Sequence, residues 1–425
     1  MPRVSRRRLG RYAAAAFATL AAPEILHARP RPRVVVIGGG AGGGTAAHLI
    51  ARDSAGAVDV VLIEADLRHT TCIFSNLYLG GFVSLASITH GYEPLSANHG
   101  VTVVNVRAAT VDRASKRVTL TDGSDLTYDR LVVAPGIDLI WESVPGYSEP
   151  ASEIMPHGWK AGSQTRLLRA RLDDIENGQQ IVIVPPPNPY RCPPAPYERA
   201  SMMAHRLKAK GFGRSRIIIL DPKPKFSKQA LFAEGWEKHY PGMIEWYGPD
   251  VHGGIKGVDP ATGTVTTDFD DFKGALVNVI PAQQAGAIAF DAGLTDSSGF
   301  CPIDPSSMRS TVDDAVFVIG DACIAGDMPK SGFAANSQAK VAASAVLGDL
   351  TRTPVPPARY ASACWSLIAP DDGVKVAGEY RPSGPTIAST SETISHTDEP
   401  AAVRHANYTD SVAWYGRISA EMFGR

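Results

Sequence analysis

The chain has 425 residues, too many for one ordinary domain and suited to two or three. Its 44% hydrophobic and 20% charged residues can bury a sizeable core, and 42 Lys and Arg against 43 Asp and Glu give a net charge of -1, so a disordered scaffold and a basic nucleic-acid binder are both disfavoured. Five Cys, none in a CxxC or CxxCH spacing, exclude a disulfide-stapled mini-domain, a zinc ribbon, a thioredoxin-type site and a c-type haem attached to this chain.

At the N-terminus Arg3, Arg6, Arg7, Arg8 and Arg11 precede an apolar run from Tyr12 to Ala22 that Pro23 ends. The run is shorter than the ~18 residues a membrane span needs. A small-residue exit near Leu26-His27-Ala28 completes the pattern of a cleavable export signal over residues 1–28. Ser5-Arg6-Arg7-Arg8-Leu9 is of the twin-arginine type, a route suited to proteins exported already folded around a cofactor. An ordinary secretory signal and a basic amphipathic helix are the competing readings. Export implies a periplasmic, oxidising location, where a Cys pair can exist as a disulfide.

Arg33 to Ile37 reads as a buried parallel strand that runs into Gly38-Gly39-Gly40-Ala41-Gly42-Gly43. A helix is expected over Thr45 to Arg52, and a second strand over Val58 to Ile63 ends at Glu64. Strand, glycine loop, helix, strand and acid in register form a dinucleotide-binding fingerprint. Gly38 permits the tight turn, Gly40 lets the backbone approach a pyrophosphate, and Gly43 lets helix pack on strand. Glu64 can accept from a ribose hydroxyl, and the helix N-terminus faces the phosphates. Further on, Tyr128 to Gly136 reads as a strand and turn, and Asp314 to Ala322 as a strand entering Gly320-Asp321, followed by a helix from Gly332 to Leu350. These segments resemble those of flavoproteins with two dinucleotide-binding domains, in which such an Asp meets the ribityl chain and the next helix N-terminus faces the flavin pyrimidine, and with the glycine loop they together favour FAD over NAD.

The middle of the chain repeats the βαβ pattern: a strand at Gln180 to Val184, a helix at Glu198 to Lys210 and a strand at Arg216 to Asp221. The loop between strand and helix, Pro185 to Pro196, holds seven prolines and no glycine. Proline donates no N–H, so this loop makes a poor phosphate cradle and argues against a second, pyridine-nucleotide site. It can hold Cys192 stiffly. The region from Thr351 to Arg425 reads as turn-rich, with Pro354, Pro356, Pro357, Pro370 and Pro382, and carries Cys364 and an aromatic tail.

From about Arg33 onward the sequence resembles the flavoprotein subunit of flavocytochrome c sulfide dehydrogenase, a disulfide reductase-like flavoprotein related to sulfide:quinone oxidoreductases. The segments that carry the resemblance are Val36 to Gly43, Thr71-Cys72-Ile73-Phe74-Ser75-Asn76, Arg191-Cys192-Pro193-Pro194-Ala195-Pro196-Tyr197-Glu198-Arg199-Ala200-Ser201, Gly320-Asp321-Ala322-Cys323 with Met328-Pro329-Lys330-Ser331-Gly332, and Ala363-Cys364-Trp365-Ser366. The proline-rich cysteine segment is the specific one. Ala195 stands where a Gly is more usual, and Ile73-Phe74 replace a Tyr-Leu pair.

The resemblance implies an α/β fold of two Rossmann-like, glutathione reductase-like domains plus a smaller α+β C-terminal interface domain. The expected division is FAD-binding over 29–150 and 276–350, a second Rossmann-like domain over 151–275, and the interface domain over 351–425. It also implies FAD linked covalently through Cys72 and a redox-active disulfide between Cys192 and Cys364 that receives sulfide. The products are zero-valent sulfur or polysulfide, and the electrons pass through FAD to a c-type cytochrome subunit that carries the haem. Glu198 then handles protons, Lys330 stabilises reduced flavin, and Trp414 lies near the flavin and the electron exit. Cys301 and Cys323 read as structural, and the His residues lack metal-site spacing. Two alternatives stand beside this reading: a sulfide:quinone oxidoreductase at a membrane surface, and an accessory flavoprotein of a sulfur-oxidation complex with little turnover of its own.

Overall fold

The computed structural model describes residues 31–425. The export signal expected over 1–28 lies outside the described residues.

The apolar strand Arg33–Ile37 occupies the centre of a five-stranded parallel sheet, because its run of Val and Ile can be covered on both faces. The strand order is Val316–Val318, Arg130–Val133, Arg33–Ile37, Asp59–Ile63, Thr102–Val104. Register sets Val36 against Leu62 on one side and Val132 on the other. The glycine-loop helix Gly43–Asp53 begins two residues earlier than the propensity of Thr45 indicates, since its first residues are glycines whose placement is dictated by packing. This helix packs against the long helix Gly332–Thr351 and the C-terminal helix Ala401–Phe423.

A second parallel sheet has the order Ile244–Tyr247, Arg216–Leu220, Gln180–Val184, Leu276–Val279. Ile181, Ile183, Ile217 and Ile219 are buried on one face against the cysteine-loop helix Ala195–Ala209, which supplies Tyr197, Ala200, Met203 and Leu207. The domain boundary expected between 275 and 276 is corrected here. Leu276–Val279 pairs with Gln180–Val184 and belongs to the second sheet. The chain returns to the first domain through Ala282–Ala285, which pairs antiparallel with the outgoing connector Ile137–Ile140.

The C-terminal region is also corrected. Instead of a turn-rich segment it forms three long antiparallel strands, Tyr360–Ala369, Asp372–Ser383 and Thr386–Ile394, followed by the 23-residue helix Ala401–Phe423. Its prolines mislead because Pro354, Pro356 and Pro357 precede the first strand and Pro370 lies in the first hairpin turn. Arg404, 5% exposed, ties the helix down through Glu234, Asp372 and Glu399 at 2.7, 3.3 and 3.1 Å.

Candidate active site

Three cysteines far apart in sequence line one cavity. Cys72, Cys192 and Cys364 share its walls with Asn76, Trp159, Arg191, Glu198, Arg199, Gly332, Phe333, Trp365 and Trp414. Cys72 precedes the short helix Ser75–Gly80 and is exposed to this space.

Cys192 stands at φ +56°, in the left-handed region that side chains rarely adopt. Its neighbours hold it there. The Cys192 N–H donates to Lys330 O at 2.8 Å, and its carbonyl accepts from Ala195 N at 2.9 Å. The Arg191 N–H donates to Gln283 Oε1 at 2.9 Å, and the Arg191 guanidinium to Trp159 O at 2.5 Å. Cys364 arrives from the first strand of the C-terminal sheet. Cys364 Sγ donates to Trp365 O at 3.9 Å, and the two thiols, sharing one cavity, act on each other's ionisation.

The pair is split electrostatically. Interaction with the Cys192 thiol pulls Cys364 down to about 7, against burial and with help from the Lys228 charge. Interaction with Cys364, followed by burial, pushes Cys192 up. Glu198 accepts from Asn76 Nδ2 and from Leu367 N, both at 2.9 Å, and burial raises its carboxyl above the usual range. A carboxyl raised in this way beside sulfur is suited to carrying a proton.

Two buried cations, neither singled out from sequence, face this group. Arg199, 2% exposed, donates to His157 O, Gly158 O, Asn278 Oδ1 and Asn76 Oδ1 at 2.7, 2.7, 2.9 and 3.2 Å, and burial lowers it to about 9. Lys228, 5% exposed, donates to Cys364 O at 3.1 Å and Ser366 Oγ at 2.8 Å. Arg199 and Asn76 sit within the recognisable cysteine segments and could have been noticed by their proximity to Cys192 and Cys72. Lys228 sits in an unremarkable Lys-rich loop and carried no signal.

The dinucleotide fingerprint closes as its spacing predicts. Gly38 has φ +95°, and a side chain on Gly43 would collide with the Gly38 carbonyl. Gly40 is open: a Cβ there would meet only His69 Cε1, at 3.8 Å, so a ligand can approach the backbone. Glu64 reaches back to this loop and accepts from Gly39 N at 2.7 Å. Asp321 is 8% exposed; one of its oxygens lies 3.6 Å from Arg191 Nη1, and the other, Oδ1, is buried without a partner among the described residues. A buried acceptor left open in this way fits a ligand hydroxyl.

Lys330 has a structural task in addition to any toward the flavin. Its ammonium donates to Asp321 O at 2.7 Å and Cys323 O at 2.8 Å and lies 3.8 Å from the centre of the Phe300 ring. It therefore braces the Asp321 turn, and burial lowers its pKa. Its backbone carbonyl accepts from Cys192 N. Trp414 does line the cavity, in an aromatic group with Phe333 at 5.6 Å and Trp365 at 5.3 Å. On the far side of these rings lies an open cleft of about 720 Å³ bearing Arg359, Lys375, Arg381 and Arg417. Cys301 and Cys323 are fully buried neighbours across a β-bridge, with thiols pushed up to about 12 and about 11 by burial.

The second Rossmann-like domain has spent its acid. Asp221, fully buried at the end of Arg216–Leu220, accepts from Tyr197 OH at 2.5 Å, Trp246 Nε1 at 2.9 Å and Lys223 Nζ at 2.7 Å. Lys223 also caps the proline loop through Pro186 O at 2.7 Å.

Family models match over most of this framework. Residues 165–281 match the central domain of the sulfide dehydrogenase [flavocytochrome c] flavoprotein chain, and residues 356–423 match the flavin-binding domain of flavocytochrome c sulphide dehydrogenase. The chain is built from the domains of that flavoprotein family. Residues 32–184 also match the pyridine nucleotide-disulphide oxidoreductase model. The flavoprotein is 22% identical over 325 residues to the mitochondrial sulfide:quinone oxidoreductase of Dictyostelium discoideum, covering 73% of this chain and 69% of that protein. Its fold is similar to the sulfide:quinone oxidoreductase of Aquifex aeolicus, at 15% identity and a TM-score of 0.72 over 93% of each chain. It is also similar in fold to an NAD-dependent persulfide reductase from A. fulgidus, at 14% identity and a TM-score of 0.62 over 89% and 77%.

The flavoprotein is thus a flavin oxidoreductase of the sulfide dehydrogenase and sulfide:quinone oxidoreductase group, and its cofactor is FAD. The residues present fit that cofactor. The Gly38–Gly43 loop would hold the pyrophosphate, Glu64 stands near the ribose position, and Asp321 Oδ1 offers the open acceptor. The long helix Gly332–Thr351, capped by Ser331 Oγ accepting from Ala334 N at 3.1 Å, opens onto the cysteine cavity.

Proposed function

We propose that this protein oxidises sulfide at the Cys192–Cys364 pair and delivers the electrons through FAD to a c-type cytochrome subunit. The observation that carries the reading is the Cys192 and Cys364 thiols brought together in one cavity whose walls also include Cys72 and the start of the Gly332–Thr351 helix. Bound FAD supplies the two-electron acceptor. The protein's own contribution is a disulfide-forming pair, a proton carrier in Glu198, and fixed positive charge from Arg191, Arg199 and Lys228 that favours an anionic substrate such as hydrosulfide. Zero-valent sulfur or polysulfide is the product.

In this reading Cys72 holds FAD covalently, which suits an exported protein that cannot replace a lost cofactor. The signal over residues 1–28 sends the folded flavoprotein to the periplasm by the twin-arginine route. The Phe333, Trp365 and Trp414 rings, standing between the cavity and the cation-lined cleft, support an electron exit on that side.

Quinone reduction is the second reading, favoured by the likeness to the two sulfide:quinone oxidoreductases. Among the described residues no helix is long and apolar enough to cross a membrane. The exposed side of Ala401–Phe423 presents Val403 and Val412 among His405, Asp410 and Arg417, a weakly apolar face for lying on a bilayer. Anaerobic addition of sulfide should bleach the flavin, with c-type cytochrome reduced at an appreciable steady rate. Reduction of a quinone without cytochrome would replace this reading with the second. Bleaching with negligible turnover on either acceptor would favour an accessory role.

A further inference from the structure

We propose that Lys228 is the positioning residue that makes Cys364 the thiolate of the pair and so directs an incoming hydrosulfide to the sulfur of Cys192. The inference deepens the sulfide-oxidising reading and rests on it for the identity of the nucleophile.

Two thiols that share one cavity compete for a single negative charge, so the surroundings must choose which one ionises. Lys228 is a buried ammonium without a carboxylate in ion-pair contact among the described residues. Both of its acceptors, Cys364 O and Ser366 Oγ, belong to the strand that carries Cys364. An ammonium has three donors, so one N–H remains after these two bonds. A buried cation is tolerated when an anion neutralises it. The acidic groups that face Lys228 are Cys364 first, then Glu198 and Cys192. Burial presses Lys228 and Glu198 alike toward their neutral forms, and Cys364 is the acidic group of this set whose net shift is toward the charged form, which makes it the natural counter-charge.

The rival assignment places the thiolate on Cys192, just ahead of the helix Ala195–Ala209, where a helix N-terminus ordinarily favours a thiolate. Here that N-terminus is disarmed. Pro196 has no N–H, Ala195 N donates to Cys192 O, and Tyr197 N and Glu198 N both donate to Pro194 O. Cys192 is also surrounded by Glu198 and Cys72, whose negative forms oppose its ionisation. Arg199 does face Cys192, but its donors are engaged by four fixed acceptors. Arg191 is shared among Cys72, Asp321 and Cys192.

The consequence for chemistry follows from leaving-group stability. In thiol–disulfide exchange the sulfur with the lower pKa leaves faster. Hydrosulfide therefore forms a new S–S bond to Cys192 Sγ, the Cys192–Cys364 bond breaks, and its electron pair departs on Cys364. One hydrosulfide and one disulfide become a Cys192 persulfide, which keeps the hydrosulfide proton, and a Cys364 thiolate. Charge and atoms balance without any further oxidant in this step.

The test uses the reduced, flavin-loaded full chain. Iodoacetamide labelling of the Cys192 and Cys364 peptides, followed separately by mass spectrometry across pH, should give Cys364 a midpoint near 7 and leave Cys192 slow throughout. Lys228→Met should raise the Cys364 midpoint by about one unit, which is roughly tenfold slower labelling at pH 6, and Lys228→Arg should restore it. Ser366→Ala, which removes one anchor of the ammonium, should move the midpoint in the same direction by less, and it decides the matter should Lys228→Met not fold. In a parallel arm the oxidised protein is given sulfide and alkylated at once. The additional sulfur should appear on the Cys192 peptide. A faster Cys192, an unmoved Cys364 midpoint in Lys228→Met or Ser366→Ala, or a persulfide on Cys364 would overturn the assignment. Failure to find a persulfide on either peptide, with the labelling order intact, would count against the sulfide reading and leave the Lys228 effect standing.

Discussion

Replacing Arg199 with Met should loosen the wall of the cysteine cavity by an amount the hydrogen-bond inventory can bound. The guanidinium ties three segments together: the His157–Gly158 loop, Asn278 in the strand Leu276–Val279, and Asn76 in the helix Ser75–Gly80. Met fills much of the same volume but leaves Gly158 O, Asn278 Oδ1 and Asn76 Oδ1 without this donor, while His157 O keeps Asn278 Nδ2. Asn278 cannot reorient to compensate, because its Nδ2 already donates to Pro156 O and His157 O. Each orphaned buried acceptor costs about 1–3 kcal/mol. Removing the buried charge recovers part of that sum, which leaves a net loss of about 3–5 kcal/mol. For a domain of this size the corresponding fall in melting temperature is roughly 6–20 °C. Thermal scans that follow flavin fluorescence and far-ultraviolet circular dichroism together would measure it. Arg199→Lys should lose most of the same stability, since an ammonium cannot reach acceptors spread over the guanidinium fork. A fall below about 2 °C in Arg199→Met would refute the claim that this side chain holds the wall together.

Two further outcomes follow from the same geometry. Glu198 is raised by burial in the folded protein, so its stabilising contribution is complete below the ordinary carboxyl value and is lost as pH rises through the folded one. Glu198→Gln should therefore gain stability relative to the parent as pH rises above the ordinary carboxyl value of about 4, measured by urea unfolding, whereas a difference that does not change with pH would contradict the raised carboxyl. Cys72→Ser should release its flavin into the supernatant on acid precipitation, while the parent keeps flavin on the Cys72 peptide; free flavin from the parent would remove the covalent assignment.

Local pattern carried much of the fold. Strands such as Arg33–Ile37 and Gln180–Val184 are apolar throughout because both faces are covered, and the glycine spacing has only one use at a strand-to-helix turn. The C-terminal sheet was hidden because its prolines lie at the margins of strands, where a linear reading takes them for turns throughout. The boundary after residue 275 failed for a similar reason: Leu276–Val279 looks like any buried strand, and sequence does not say which sheet it joins.

At the site, the chemistry of each cysteine was legible only through resemblance, since Cys192 and Cys364 meet across 172 positions by tertiary folding. Lys330 shows what a linear reading leaves out. A lysine just ahead of a helix facing the cofactor invites a catalytic role, and folding also gives two of its three donors to the carbonyls of Asp321 and Cys323. Lys228 gave no signal at all. Its loop looks solvated, and only the approach of the Cys364 strand turns its side chain into a buried charge.

The most direct measurement is anaerobic rapid mixing of sulfide with the flavin-loaded Cys192→Ser and Cys364→Ser proteins. Flavin absorbance should persist in both while the parent bleaches. Bleaching of either variant at the parental rate would mean that electrons enter the flavin without passing through the paired sulfurs.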